Sequence, residues 1–175
     1  MRVRYGNTTK GFTLAEMVVS VGLVSLLLLV TIQSALTVSA IHRRSRVYLD
    51  MNSSAINAFS RFSRDIRRAT SVDTVRSTLG ASSGKLVLNM KKTDGSYDTS
   101  TFALSSSTVQ AFYNDAYSGD LTPQAMDISN LTFRRFFTGS TTAIRVEMTV
   151  SPDASSSIPA LNFYGTYVLR GSYSQ

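Results

Sequence analysis

The chain contains no cysteine, a single histidine, and no proline before Pro123. The missing thiols exclude disulfides, thiolate metal sites, a cysteine nucleophile and a cysteine-linked lipid anchor. One histidine excludes zinc sites built from several imidazoles, and it leaves any histidine-dependent catalysis to His42. Charge is scarce as well. Only 17% of the residues are charged while 43% are hydrophobic, which fits neither a disordered chain nor a highly charged nucleoprotein. No glycine-rich phosphate loop occurs, so the chain carries no recognisable energy-coupling site.

What is present is unevenly distributed. The length of 175 residues suits one ordinary domain with its own core, and 18 Lys+Arg against 11 Asp+Glu give a net charge of +7. Met17 to Ile41 is a run of 25 residues without a formal charge. As a helix this run would extend roughly 38 Å, enough to cross a hydrocarbon core of about 30 Å. Basic residues bracket it: Arg2, Arg4 and Lys10 precede it, and Arg43, Arg44 and Arg46 follow it. Positive charge ahead of a first span favours a cytoplasmic N-terminus, while the cluster behind weakens that bias. Residues 43–68 carry seven arginines against Asp50 and Asp65, whereas residues 77–175 carry seven charges of each sign. The basicity therefore belongs to the N-terminal third and reads mainly as membrane topology. That distribution counts against nucleic acid as a partner.

After the apolar run, Tyr48, Met51, Ala55, Phe59, Phe62, Ile66 and Ala69 recur at steps of three or four, marking one face of a helix. Arg61 and Asp65 form an i,i+4 pair on it. Nothing forces a break, so one helix is expected from about Phe12 to about Ala69, roughly 85 Å long. Beyond Thr70 the composition turns to Ser, Thr and Gly with short β-type runs. Strands are expected at 85–90, 100–104, 108–113, 128–137, 142–150 and 163–170. Turn signals at 80–84, 94–95, 118–120 and 139–140 separate them, and Asp94-Gly95 can centre a hairpin. The expected fold class is α+β: a long N-terminal helix packed on a single C-terminal antiparallel sheet. Residues 12–41 form the transmembrane half of the helix, 42–70 the amphipathic half and 71–175 the sheet domain.

Directly ahead of the apolar run stands Lys10-Gly11-Phe12-Thr13-Leu14-Ala15-Glu16. This segment resembles the processing site of type IV prepilins and type II secretion pseudopilins: a basic residue, Gly, Phe, Thr, Leu, any residue, Glu, then about twenty apolar residues. The resemblance is tight over residues 10–41 and architectural beyond. It implies that residues 1–11 are a leader, and that a prepilin peptidase cuts between Gly11 and Phe12. Phe12 then becomes the N-methylated N-terminus, and the net charge falls from +7 to +4. Glu16 would pair with the α-amino group of a neighbouring subunit and set register. Elementary physics agrees, because glycine exposes the backbone at the cut. An unpaired Glu16 in lipid would cost up to a few kcal/mol, and the ammonium freed at Phe12 could neutralise it.

The same resemblance implies a pilin-like fold and no cofactor. It also implies a structural subunit that packs through Leu26, Leu27, Leu28 and Leu29. Its partners would be the peptidase, other pilin or pseudopilin subunits, the lipid bilayer, and an inner-membrane assembly platform with an ATPase in trans. Its location would be the bacterial inner membrane, single-pass with the C-terminal domain extracytoplasmic, and later a pilus or pseudopilus. The absent cysteine pair, together with RFSRDIRRAT, ISNLTFRRFF and TAIRVEMTV, is similar to the larger minor subunits, nearest to J-type minor pseudopilins and W-type minor pilins.

Several alternatives stay open. Val38-Ser39-Ala40 resembles an ordinary signal cleavage site, which would leave a secreted or membrane-anchored binding protein. Asp115 and Asp120, with Asn114 and Ser118, could ligate Ca²⁺ through oxygen, although their spacing matches no EF-hand. Arg134 and Arg135 beside Phe133, Phe136 and Phe137 are the basic-aromatic cluster that a DNA-uptake minor pilin would use. On one strand, however, the two arginines must point to opposite faces. His42, lying among arginines beside the apolar run, reads as a headgroup-facing residue rather than a catalyst.

Overall fold

The computed structural model describes residues 11–124, 126–138, 141–152 and 158–170. One helix, α1 (Leu14–Arg68), precedes eight strands: β1 (Ser71–Val72), β2 (Lys85–Lys91), β3 (Tyr97–Ser105), β4 (Thr108–Tyr113), β5 (Ala116–Asp120), β6 (Met126–Thr138), β7 (Thr141–Pro152) and β8 (Leu161–Val168). The chain divides into two compact units, the second beginning at Arg46, and α1 contributes residues to both.

The expected α+β layout is present: one long helix, apolar in its N-terminal half, and antiparallel strands. The expectation of a single sheet needs correction. There are two antiparallel sheets, ordered β1-β2-β3-β4-β5 and β6-β7-β8. The split follows from a pairing that no local pattern announces. The edge of β6 is occupied by residues 80–84 rather than by β5. Leu131 N donates to Ser82 O at 2.8 Å, Gly84 N to Leu131 O at 2.7 Å and Gly80 N to Phe133 O at 2.9 Å. A Cβ at position 84 would lie 2.6 Å from the Leu131 carbonyl oxygen, so this approach requires glycine.

A second correction concerns 118–120, expected as a turn. The reversal falls earlier, at Asn114 (φ 49°) and Asp115 (φ 62°), and 116–120 returns as β5. Two consecutive positive φ values make the two-residue hairpin turn that suits the strand twist, and Asn and Asp tolerate that region best after glycine. Ser106 and Ser107 do the same between β3 and β4. The β2–β3 hairpin turns through Asp94-Gly95 as expected, with Gly95 at φ 82° and Ser96 N donating to Asp94 Oδ1 at 2.9 Å.

The second half of α1 covers both sheets. Met51, Ala55, Phe62, Ile66 and the following Ala69 are fully buried, as the stripe requires, whereas Tyr48 lies at its exposed margin. Phe62 is the junction. Its ring meets Phe102 of β3 edge-on at 4.9 Å and Phe133 of β6 at 5.8 Å, so one side chain ties helix, first sheet and second sheet together. Beside it Phe59 packs on β8 at Gly165, where an added Cβ would lie 2.9 Å from the ring. Replacing Phe62 with Ala should cost about 3–5 kcal/mol, since burial, edge-to-face contacts and cavity all enter. Chemical denaturation of the full chain in neutral detergent reads this directly. A loss under about 1 kcal/mol would deny Phe62 its central place.

Candidate functional site

The first turn of α1 is built by Thr13. Its hydroxyl accepts a bond from Glu16 N at 3.3 Å, and its carbonyl accepts one from Met17 N at 3.1 Å, so it is the N-cap. This is why the helix starts at Leu14 rather than at Phe12. Gly11 and Phe12 precede the helix and are exposed, with Phe12 at 80%. Glu16 lies in the first turn, where the helix dipole favours a carboxylate, and it has no ion-pair partner among the described residues. Thr13-Leu14-Ala15-Glu16 has the spacing of a capping box, a signal that would have identified Thr13 from sequence. Lys10 and the rest of the expected leader lie outside the described residues.

Behind this turn, residues 14–41 are helical and exposed throughout, and α1 is long and apolar enough to cross a membrane. Leu26, Leu27, Leu28 and Leu29 occupy successive faces, and each is more than half exposed. Four hydroxyls on this surface are satisfied within the helix. Ser20, Ser25, Thr31 and Thr37 donate to the carbonyls of Glu16, Val21, Leu27 and Gln33 at 2.7–2.9 Å. An apolar medium would penalise an unpaired donor at each of these positions.

A second polar site lies at the other end of α1, where Arg61, Arg64 and Arg68 border a cleft of about 690 Å³ with Lys91 and Lys92. The expected Arg61–Asp65 pair forms, from Nε to Oδ2 at 3.0 Å, and Ser100 donates to the same oxygen at 2.9 Å. Asp98, also buried, accepts from Lys92 Nζ at 2.7 Å, from the Tyr113 hydroxyl, and from Asn114 Nδ2 at 2.9 Å. Those bonds, Lys92's first, hold the Asp98 carboxyl down at about 2, below its usual 3.8. The bond to Asp98 likewise raises both Lys92 and Tyr113. Sequence reading missed this cluster. Its members come from β3, β4 and two turns, so no spacing marks them.

Other candidates are dispersed. Asp115 sits in the β4–β5 turn and is ion-paired with Arg76, while Asp120 lies opposite Gln110 and accepts from the Tyr117 hydroxyl. Four residues lie between the two, a step of about 16 Å between Cα atoms along an extended strand, and each carboxylate is engaged by a different partner, Arg76 for Asp115 and Tyr117 for Asp120. No group of three potential metal ligands occurs among the described residues. Arg134 reaches Glu147 at 3.3 Å, whereas Arg135 stands opposite buried Ile144 and lies over the Phe137 ring at 4.1 Å. They form no common basic patch. His42 is exposed on α1. No protein-family model, curated protein or solved structure matches this chain.

The Asp98 cluster makes a pH signature. The folded carboxyl titrates near 2 and the unfolded one at 3.8, so its stabilisation is complete above 3.8 and is lost as pH falls toward 2. Asp98→Asn should lower stability at neutral pH and flatten its decline across that acid window, as thermal melts at stepped pH would record. Parallel curves for the variant and the parent would contradict the assignment.

Proposed function

We propose that this chain is an assembly subunit anchored in a membrane by α1. More particularly, it is a minor structural subunit of a type IV pilus or type II secretion pseudopilus. One observation carries the proposal: Lys10-Gly11-Phe12-Thr13-Leu14-Ala15-Glu16 stands directly before the uncharged run Met17–Ile41. A basic leader ahead of it, the exposed apolar half of α1 behind it, and an α+β domain with no disulfide are all in keeping with such a subunit.

In this proposal prepilin peptidase cleaves after Gly11, and Phe12 becomes a methylated N-terminus. The Met17–Ile41 segment holds the subunit in the inner membrane with the sheet domain outside. During assembly, helix–helix contacts involving Leu26–Leu29 replace lipid contacts. Glu16 neutralises the α-ammonium of a neighbouring Phe12 and so sets axial register. An assembly platform and an ATPase in trans supply the work. The nearest counterparts are J-type minor pseudopilins and W-type minor pilins, which are thought to prime or cap a fibre.

Mass spectrometry of the mature protein should find residues 1–11 removed and a methyl group on Phe12. An N-terminus at Ile41 would point instead to an ordinary signal peptide, and one at Met1 to an uncleaved anchor. Either result defeats the proposal. Glu16→Ala should leave cleavage largely intact. It should reduce incorporation by roughly 100- to 5,000-fold, because a buried charge left unpaired costs about 3–5 kcal/mol. Unchanged incorporation would remove Glu16 from its register role.

A further inference from the structure

We propose that the cleft between the end of α1 and the β2–β3 hairpin binds a phosphate group. Five cations border it: Arg61, Arg64 and Arg68 on one helix face at i, i+3 and i+7, Lys91 at the end of β2 and Lys92 in the turn that follows. Three acids border it too, leaving an excess of two positive charges. What matters is how those acids are already used.

Asp65 is 4% exposed and saturated. Its Oδ2 takes Arg61 Nε at 3.0 Å and the Ser100 hydroxyl at 2.9 Å, while Oδ1 faces Arg64 Nε at 3.6 Å. Asp98 is taken up by Lys92, Tyr113 and Asn114, and Asp94 by the backbone N–H and hydroxyl of Ser96. Arg61 is therefore held through Nε, while Arg64 turns its Nε toward Oδ1 across 3.6 Å without a hydrogen bond, and neither guanidinium shows a protein acceptor at its terminal nitrogens among the described residues. Arg68 and Lys91 have no carboxylate partner there at all.

This is the donor arrangement that suits a tetrahedral dianion. The Arg61 fork, positioned in advance by Asp65, loses little entropy on binding, and a phosphate monoester brings about −1.5 to −2 charges to meet the excess of two. A single carboxylate would neutralise half of that excess. The volume of about 690 Å³ leaves room for whatever carries the phosphate, whether a soluble small molecule or a lipid headgroup.

The test follows thermal unfolding of the full chain in neutral detergent. One arm adds pyrophosphate, compared with chloride at equal ionic strength. A second adds dihexanoyl phosphatidic acid, compared with dihexanoyl phosphatidylcholine. The parent protein should gain about 3 °C or more in at least one arm, and the larger gain identifies the soluble or the lipid source. Arg68→Gln/Lys91→Gln, which leaves the Asp65 and Asp98 networks intact, should lose most of that gain. Arg67→Gln removes a charge from the same helical turn without bordering the cleft, and it should keep the gain. No gain beyond the controls in either arm, or an equal gain in the double variant, would overturn the proposal.

Discussion

A helix that covers two sheets at once needs one residue large enough to touch both, and Phe62 is that residue. Its ring lies against Phe102 in the first sheet and Phe133 in the second, with every participant fully buried. The neighbouring helix positions are sized around it. Ala55 and Ala58 let the sheets come close, and Ile66 and Ala69 close the far end. Burial of large side chains such as Met51, Phe62 and Ile66 contributes about 1.5–3 kcal/mol each, so the end of α1 is held far more firmly than propensity alone could hold it. The polar cleft inherits this rigidity. Asp65 sits on the same buried turn as Phe62, and from there it bonds Arg61 at 3.0 Å and faces Arg64 at 3.6 Å.

Much of this was legible from spacing. Apolar residues at three- and four-residue steps located the buried face of α1, and the i,i+4 rule found the Arg61–Asp65 pair. The strand expected at 142–150 is present within β7, where Ile144, Val146, Met148 and Val150 alternate into the core. Asp94-Gly95 placed the first hairpin. The failures share one cause, which is dependence on distant partners. Residues 80–84 look like a loop, and only their pairing with Leu131 and Phe133 reveals that they close an edge and divide the strands into two sheets. Asn114-Asp115 carries a local turn signal, but Ser118-Gly119-Asp120 is the stronger one by composition, and the strand register decides between them. Asp98 gathers its three donors from β4 and two turns, so its depressed titration has no counterpart in the linear pattern.

The charge of the chain is organised by the same division. Arginines crowd the helix, and the sheet region is balanced. Within the second half of α1, Arg61 is held by a buried carboxylate that Arg64 also faces, while Arg67 and Arg68 crown the last turn, where the helix dipole favours cations. In the first half the only charge is Glu16, at the opposite pole of the same dipole. A helix with its acid at the start and its arginines at the end is electrostatically consistent along its whole length, even though its two halves face different surroundings.

The closure of β6 by residues 80–84 also decides where the second sheet can grow. Residues 80–84 occupy the outer side of β6 at Leu131 and Phe133, β7 lies in the middle, and no strand pairs on the far side of β8 among the described residues. Backbone amides and carbonyls along Leu161–Val168 thus form a one-sided template. Adding a strand there would extend the sheet in a single direction, and repeated addition cannot pass through the molecule to the other side.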